Sequence, residues 1–175
     1  MNDRGADFDE FVRSRSAALL RSAYLLTTDR HAAEDLLQEV LERMYVRWRR
    51  IRGAPEAYAR RTLTNQAINR WRRRSRRVQE APLHDRSDVA GRDDPAETVA
   101  ARRTVLGALR ELPPRQRAAV VLRYLDDLSE ADTARAMGCS VGAVKSHTSR
   151  GLTHLRTVLP DASFHSIDTE ERSHQ

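Results

Sequence analysis

The chain has 175 residues, of which 32% are charged and 5% aromatic, and so polar a composition favours two compact helical lobes over one large core. Its 31 Lys and Arg against 25 Asp and Glu leave a net charge of +6, which points to an anionic partner, nucleic acid being the usual one. A single cysteine, Cys139, excludes an intrachain disulfide or a cysteine-based metal cluster, and no apolar run approaches the length of a membrane span.

Residues 1–10 carry four acids and no apolar stretch, so they are not a signal peptide, and a cytoplasmic protein is expected. Phe8, Phe11, Val12, Ala18, Leu19, Ala23 and Leu26 recur at helical spacing and predict a first helix. Thr27-Thr28-Asp29 breaks it and can cap the next. In the second helix Ala33, Leu36, Leu37, Val40, Leu41, Met44 and Trp48 form one stripe. The opposite face carries Asp35, Gln38, Glu39 and Glu42. An acidic face on a basic chain is either solvated or a docking surface for a basic protein, and periodicity alone does not choose.

Charge is distributed unevenly. Residues 43–77 hold 13 bases and one acid, Glu56, a net of +12. Unpaired like charges at that density call for an external polyanion. All but one of the chain's 31 bases are Arg, the exception being Lys145. Arg suits forked contacts to phosphate and guanine, although a GC-rich genome produces the same bias. Pro55 can open a third helix, running from about residue 56 to 77. It mixes Tyr58, Leu63, Ala67, Ile68 and Trp71 with Arg60, Arg61, Arg70, Arg72, Arg73, Arg74, Arg76 and Arg77. Asn65, Gln66 and Asn69 add short amides able to pair with base edges, while the Arg series can hold phosphates. Trp48 and Trp71 read first as packing residues and second as stacking platforms.

Residues 78–98, with Pro82, Gly91, Pro95 and a net charge of −4, read as an acidic flexible linker. A helix over residues 98–112 follows. Pro113-Pro114 then opens another, to about residue 125. Next, Ser129 and Ser140 can cap two short-spaced helices, with Ala134 small at their crossing and Gly138 suited to the left-handed turn between them. Val144 and Leu152 would anchor the second helix. Lys145, Ser146, His147, Ser149 and Arg150 would face outward. This is the pattern of a helix-turn-helix, whose second helix enters the major groove; a plain helical hairpin is the alternative. Residues 161–175 read as a disordered tail. The six His are scattered, and no nucleophile–base pair or phosphate-cradling Gly loop stands out, so no enzyme is expected.

Two stretches together resemble the extracytoplasmic-function sigma factors of bacterial RNA polymerase, in particular their actinobacterial SigE-like group. One is Ala33-Glu34-Asp35-Leu36-Leu37-Gln38-Glu39-Val40. The other runs from Leu112-Pro113-Pro114-Arg115-Gln116-Arg117 through Leu128-Ser129-Glu130-Ala131 to Gly138-Cys139-Ser140-Val141-Gly142-Ala143-Val144-Lys145-Ser146. The resemblance covers about residues 8–159. It implies an all-α protein of two small helical domains, region 2 over 1–77 and region 4 over 99–160, joined by the linker 78–98 and followed by the tail 161–175. It implies a promoter-specificity factor that is monomeric when free, has no cofactor, metal or membrane partner, and binds RNA polymerase core through a coiled coil of the largest subunit and the flap of the second-largest. The core-binding residues would be Asp35, Gln38, Glu39 and Glu42. Arg61, Asn65, Asn69, Arg70, Arg72, Arg73 and Arg74 would recognise and open the minus-ten element. Ser140, Val141, Gly142, Lys145, Ser146, His147, Ser149 and Arg150 would read the minus-thirty-five element. An anti-sigma factor clamped between the lobes is a further partner known among such relatives. The chain departs from the family pattern at His147-Thr148, and at Arg60 and Thr62, where relatives often carry apolar residues. An ordinary dimeric regulator and an RNA-binding protein using the residue 43–77 stretch are the competing readings.

Overall fold

The computed structural model describes residues 3–51, 53–78 and 96–159, with side chains over 5–51, 53–73 and 103–159. The expected linker falls largely outside these residues, and the expected tail wholly so. The described residues form helices and turns, with no strand among them.

The N-terminal lobe contains α1 (Asp3–Thr27), α2 (Arg30–Arg47), a 3₁₀ turn (Trp48–Arg50) and α3 (Pro55–Val78). Thr28, at φ 55°, turns the chain between α1 and α2. Asp29 then caps α2, its carboxylate accepting from the Ala32 amide at 2.8 Å. Ala33, Leu36, Leu37, Val40 and Met44 are buried, which is the expected stripe; Leu41 and Trp48 are half-buried at its edge. Trp48 meets the rings of Phe8 and Phe11 at centroid distances of 5.1 and 5.3 Å and so closes the lobe by packing, as expected. On α3, Ala59, Leu63, Ala67 and Ile68 are buried. Trp71 lies one turn beyond Ala67, where α3 has outrun its neighbours' cover, and is 42% exposed.

The C-terminal lobe contains α4 (Ala96–Glu111), α5 (Pro114–Val120) continued by a π-helical turn (Val121–Leu125), α6 (Glu130–Met137) and α7 (Val141–Val158). Ser129 caps α6 by accepting from the Asp132 amide at 3.0 Å, and Ser140 caps α7 by accepting from the Ala143 amide at 3.2 Å. Gly138 ends α6 in the left-handed conformation, φ 62°, ψ 44°. α5 and α7 approach closely at Gly151. A Cβ there would stand 2.8 Å from Val120 Cγ2 and 3.4 Å from the Gln116 carbonyl oxygen. Val120 is itself buried and has little room to give way. Gly151→Ala should therefore destabilise this lobe by about 1–3 kcal/mol, read as a lowered denaturant midpoint without a change in helical signal.

The lobes are not separate bodies in this structure. α6 and the end of α5 pack on α3, and the π-helical turn packs on α1. Asp126 follows that turn and is sunk into the seam, its side chain 2% exposed. Its two oxygens accept from Ser22 Oγ at 2.7 and 2.8 Å, and Arg60 Nη1 lies 3.0 Å away. Burial pushes the Asp126 carboxyl above the usual carboxylate range, against the opposing pull of Ser22, Arg60 and Arg21. Beside it, Arg117 is buried and donates to the carbonyl oxygens of Leu26 (3.1 Å), Arg110 (3.1 Å) and Leu112 (3.2 Å). Arg110 donates to the Thr28 carbonyl oxygen at 3.0 Å. The exposed-carbonyl end of α1 is thus capped by two guanidinium groups from the other lobe. The two-domain all-α reading stands, and the structure adds a polar seam between the domains.

Candidate nucleic-acid and protein interfaces

On α2, Asp35, Gln38, Glu39 and Glu42 are all exposed. They point away from the buried stripe because helical periodicity puts them half a turn from it. Gln38 Nε2 donates to Glu42 Oε1 at 3.2 Å, which fixes part of the face. An apolar groove between α1 and α2 borders it, walled by Phe8, Leu20, Leu37, Leu41 and Tyr45. Tyr45 is 50% exposed and Val46 76%. Both lie off the inward stripe, so helical period does not single them out. Their signal was exposure of large apolar groups next to an acidic face, and exposure is not visible in a sequence.

On α3, Arg61, Asn69, Arg72 and Arg73 are exposed, whereas Asn65 and Arg70 are half-buried. The Arg74 side chain lies outside the described residues. Arg70 reaches back to α2, pairing with Glu39 Oε1 at 2.5 Å and with the Ala32 carbonyl oxygen at 3.3 Å. One residue expected at the polymerase and one expected at DNA therefore hold each other. Asn65 sits beneath the α6–α7 turn, its Oδ1 4.0 Å from where a Cβ on Gly138 would stand. Arg60 and Thr62, which break the family's apolar pattern, are both occupied. Arg60 bridges Glu56 and Asp126, and Thr62 Oγ1 donates to the Tyr58 carbonyl oxygen at 2.8 Å.

On α7, Val141, Gly142, Lys145, Ser146, Ser149 and Arg150 are exposed near its N-terminal half, and Ser140 stands exposed as the cap. Lys145 Nζ lies 3.4 Å from Glu130 Oε2 of α6. His147 differs from the outward expectation. It is half-buried, and burial, followed by the nearby Arg115 and Arg150 cations, holds its imidazole below the ordinary histidine range. Ser146 and Arg150 on either side of it along α7 are exposed.

Residues 11–77 match the model for sigma-70 region 2, and residues 102–155 match that for sigma-70 region 4. The chain is 41% identical over 170 residues to the RNA polymerase sigma-E factor of Streptomyces avermitilis, covering 95% of this chain and 93% of that protein. The chain belongs to the extracytoplasmic-function sigma factors of RNA polymerase. This sigma factor is also 39% identical over 170 residues to the sigma-E factor of Streptomyces coelicolor, covering 95% of this chain and 94% of that protein. To the SigE factor of Mycolicibacterium smegmatis it is 33% identical over 94% of this chain and 65% of the longer relative. Its fold is similar to that of the Bartonella quintana sigma factor RpoE solved in complex with the anti-sigma factor NepR, with a TM-score of 0.70 and 24% identity over 87% of this chain and 96% of that one. As a member of this family it is a transcription-initiation factor, not an enzyme, and its partners are RNA polymerase core and promoter DNA. No helix among the described residues is long and apolar enough to cross a membrane.

Proposed function

We propose that this sigma factor works in the cytoplasm with a division of labour between its two lobes. Residues 1–77 seat on polymerase core through Asp35, Gln38, Glu39 and Glu42 of α2, and on the minus-ten element through α3. There Arg61, Asn69, Arg70, Arg72, Arg73 and Arg74 hold the strand, and Asn65 takes a base out of the stack. Residues 99–160 read the minus-thirty-five element through the first turns of α7. Ser140, Val141 and Gly142 lie at its start, and Lys145, Ser146, His147, Ser149 and Arg150 follow along it. The single observation that carries the reading is the pairing, in one lobe, of an exposed acidic helix with an exposed basic, amide-bearing one. A simple helix-turn-helix regulator needs no such pair. Exposed Trp71, on the same helix as Asn65, supplies a surface on which an unpaired base could stack.

Removing a base from the stack costs a few kcal/mol. Stacking on an aromatic residue, at about 1–3 kcal/mol per base, offsets much of that. The protein therefore supplies binding energy for strand opening while the polymerase supplies the chemistry. Run-off transcription with purified core and a library of genomic fragments tests the reading. Specific transcripts that need this protein are expected, and failure to bind core or to start from any fragment would defeat it.

Asn65→Ala isolates the base-capture step. The side chain is half-buried, and its loss opens little core. Permanganate footprinting should show promoter opening reduced about tenfold or more, in keeping with the 1–3 kcal/mol assigned to a base contact, with core affinity unchanged. Equal loss of opening and of core affinity would make Asn65 a structural residue.

A further inference from the structure

Two arginines and a histidine come together where α5 crosses α7. Gly151 sets the crossing, since a Cβ there would stand 3.4 Å from the Gln116 carbonyl oxygen. His147 lies one turn ahead of Gly151 on the same side of α7, and Arg115 adjoins Gln116 on α5. Arg150 follows His147 by three residues, on the neighbouring strip of α7. Arg115 and His147 are half-buried and Arg150 is exposed. Among the described residues neither arginine has a carboxylate partner. The acids that other elements bring to α7 are occupied: Glu130 of α6 lies 3.4 Å from Lys145, and Glu111 of α4 lies 3.4 Å from His154. The charges that act on His147 are thus Arg115 from α5 and Arg150 from its own helix.

Burial and these two cations keep the imidazole neutral in the free chain at neutral pH. Its Nδ1 is enclosed without a hydrogen-bond partner, so Nε2 is the nitrogen able to meet a ligand. Uncompensated cations beside a helix that reads duplex call for phosphate, which lines both edges of the groove that such a helix enters. A half-sunk ring and a side chain from the flanking α5 suit that edge better than the base pairs at the groove floor. A backbone phosphate keeps its negative charge throughout the range in which histidine titrates. Set beside the ring, it offsets the repulsion from the arginines and favours imidazolium. The missing acceptor at Nδ1 costs the same with and without DNA and does not alter the difference.

We propose that Arg115, His147 and Arg150 seat one backbone phosphate of the minus-thirty-five duplex, and that His147 takes up a proton as the phosphate arrives. This rests on the reading of α7 as the helix that enters that duplex, and it adds Arg115 of α5 to the contact. The proton comes from solvent, and the ring gains one positive charge. A complex that holds one proton more than its separate parts grows tighter as pH falls. The gain is complete below the pKa of the free imidazole and is lost as pH rises through the higher value in the complex. His147 is one of the positions where the chain departs from the family pattern, and here the departure makes a phosphate contact conditional on acidity.

Fluorescence anisotropy tests this with the holoenzyme, this chain on polymerase core. The probe is a fluorescein-labelled duplex of about two helical turns, carrying the minus-thirty-five half of a promoter found by run-off transcription. Native affinity should rise about three- to tenfold from about pH 8 to about pH 6, tenfold being the limit per pKa unit of coupling. His147→Gln should stay at the weak, alkaline level at every pH, and His147→Arg at the strong, acid level or above. The two variants bracket the two charge states of the ring, and titrations of core itself cancel in the comparison. Arg115→Gln should weaken binding at every pH and lower the slope of log affinity against log salt by about one. A native profile with no rise toward acid overturns the proposal whatever the variants do. So does a rise that persists in His147→Gln, or an unchanged salt slope in Arg115→Gln. Holoenzyme that forms but binds the duplex at no pH defeats the reading of α7 itself, and this proposal with it.

Discussion

Reversing two charges on α2, Asp35→Arg with Glu39→Arg, should weaken binding to polymerase core by about a hundredfold or more, the scale expected when charge pairs at an interface become repulsive. Both side chains are exposed, and exposed substitutions away from caps and core usually move stability by about 0.5 kcal/mol or less. The helical signal and thermal midpoint should therefore stay near native. Glu39 holds Arg70, so the double variant also frees a cation on α3, and non-specific duplex binding should rise slightly at low salt. Titration of fluorescent core against native and variant chains measures the first effect. Unchanged core affinity would remove α2 as the docking face. A salt series sharpens the test, since affinity carried by exposed charges falls as salt rises.

Arg117→Ala should cost about 3 kcal/mol, the scale for buried carbonyls left without donors and a buried charge network broken. For a chain of this size that corresponds to a fall in Tm of roughly 6–12 °C. The side chain is 6% exposed, and its guanidinium serves the carbonyls of Leu26, Arg110 and Leu112. Arg110 is in the last turn of α4 and Leu112 follows the helix, so most of the loss falls on the C-terminal lobe. Arg117→Met should recover the packing of the stem and little of the loss, because thioether sulfur donates no hydrogen bond. Thermal melts by circular dichroism distinguish the cases. A melt within a degree or two of native would show the carbonyls find water instead.

Much of the fold was legible locally. Asp29, Pro55, Ser129 and Ser140 start helices where their capping chemistry says they should, and Gly138 takes the positive φ that its place between two helices requires. The buried stripe of α2 followed from spacing alone. These features depend on neighbours within a few residues, which a sequence displays. Nothing local in the sequence marks Asp126, yet its side chain is only 2% exposed, because its partners Ser22 and Arg60 lie far away along the chain. The half-sunk His147, the exposed Trp71 and the Glu39–Arg70 pair escaped for the same reason. Each depends on which elements end up adjacent, and helical period carries no information about that. Arg117 was visible as part of the Leu-Pro-Pro-Arg-Gln-Arg stretch, but its work as a buried donor to both lobes was not. Among the candidate interface residues, those on the outer faces of α2, α3 and α7 were found by period and charge. The half-buried ones needed coordinates.

The seam bonds also fix an order of events in folding. Ser22 to Asp126 spans 104 residues, Leu26 to Arg117 spans 91 and Thr28 to Arg110 spans 82, whereas α1 with α2 and α6 with α7 are near neighbours in the chain. Contacts that close long loops form after local ones, since the entropy of closure must be met first. Each lobe therefore matures on its own, and the junction is the last part assembled. The same ordering predicts that it is among the first parts to open under native conditions. In hydrogen exchange, amides facing the junction should exchange through that low-energy opening, while those of Leu36, Val40, Leu152 and Leu155 wait for each lobe to unfold.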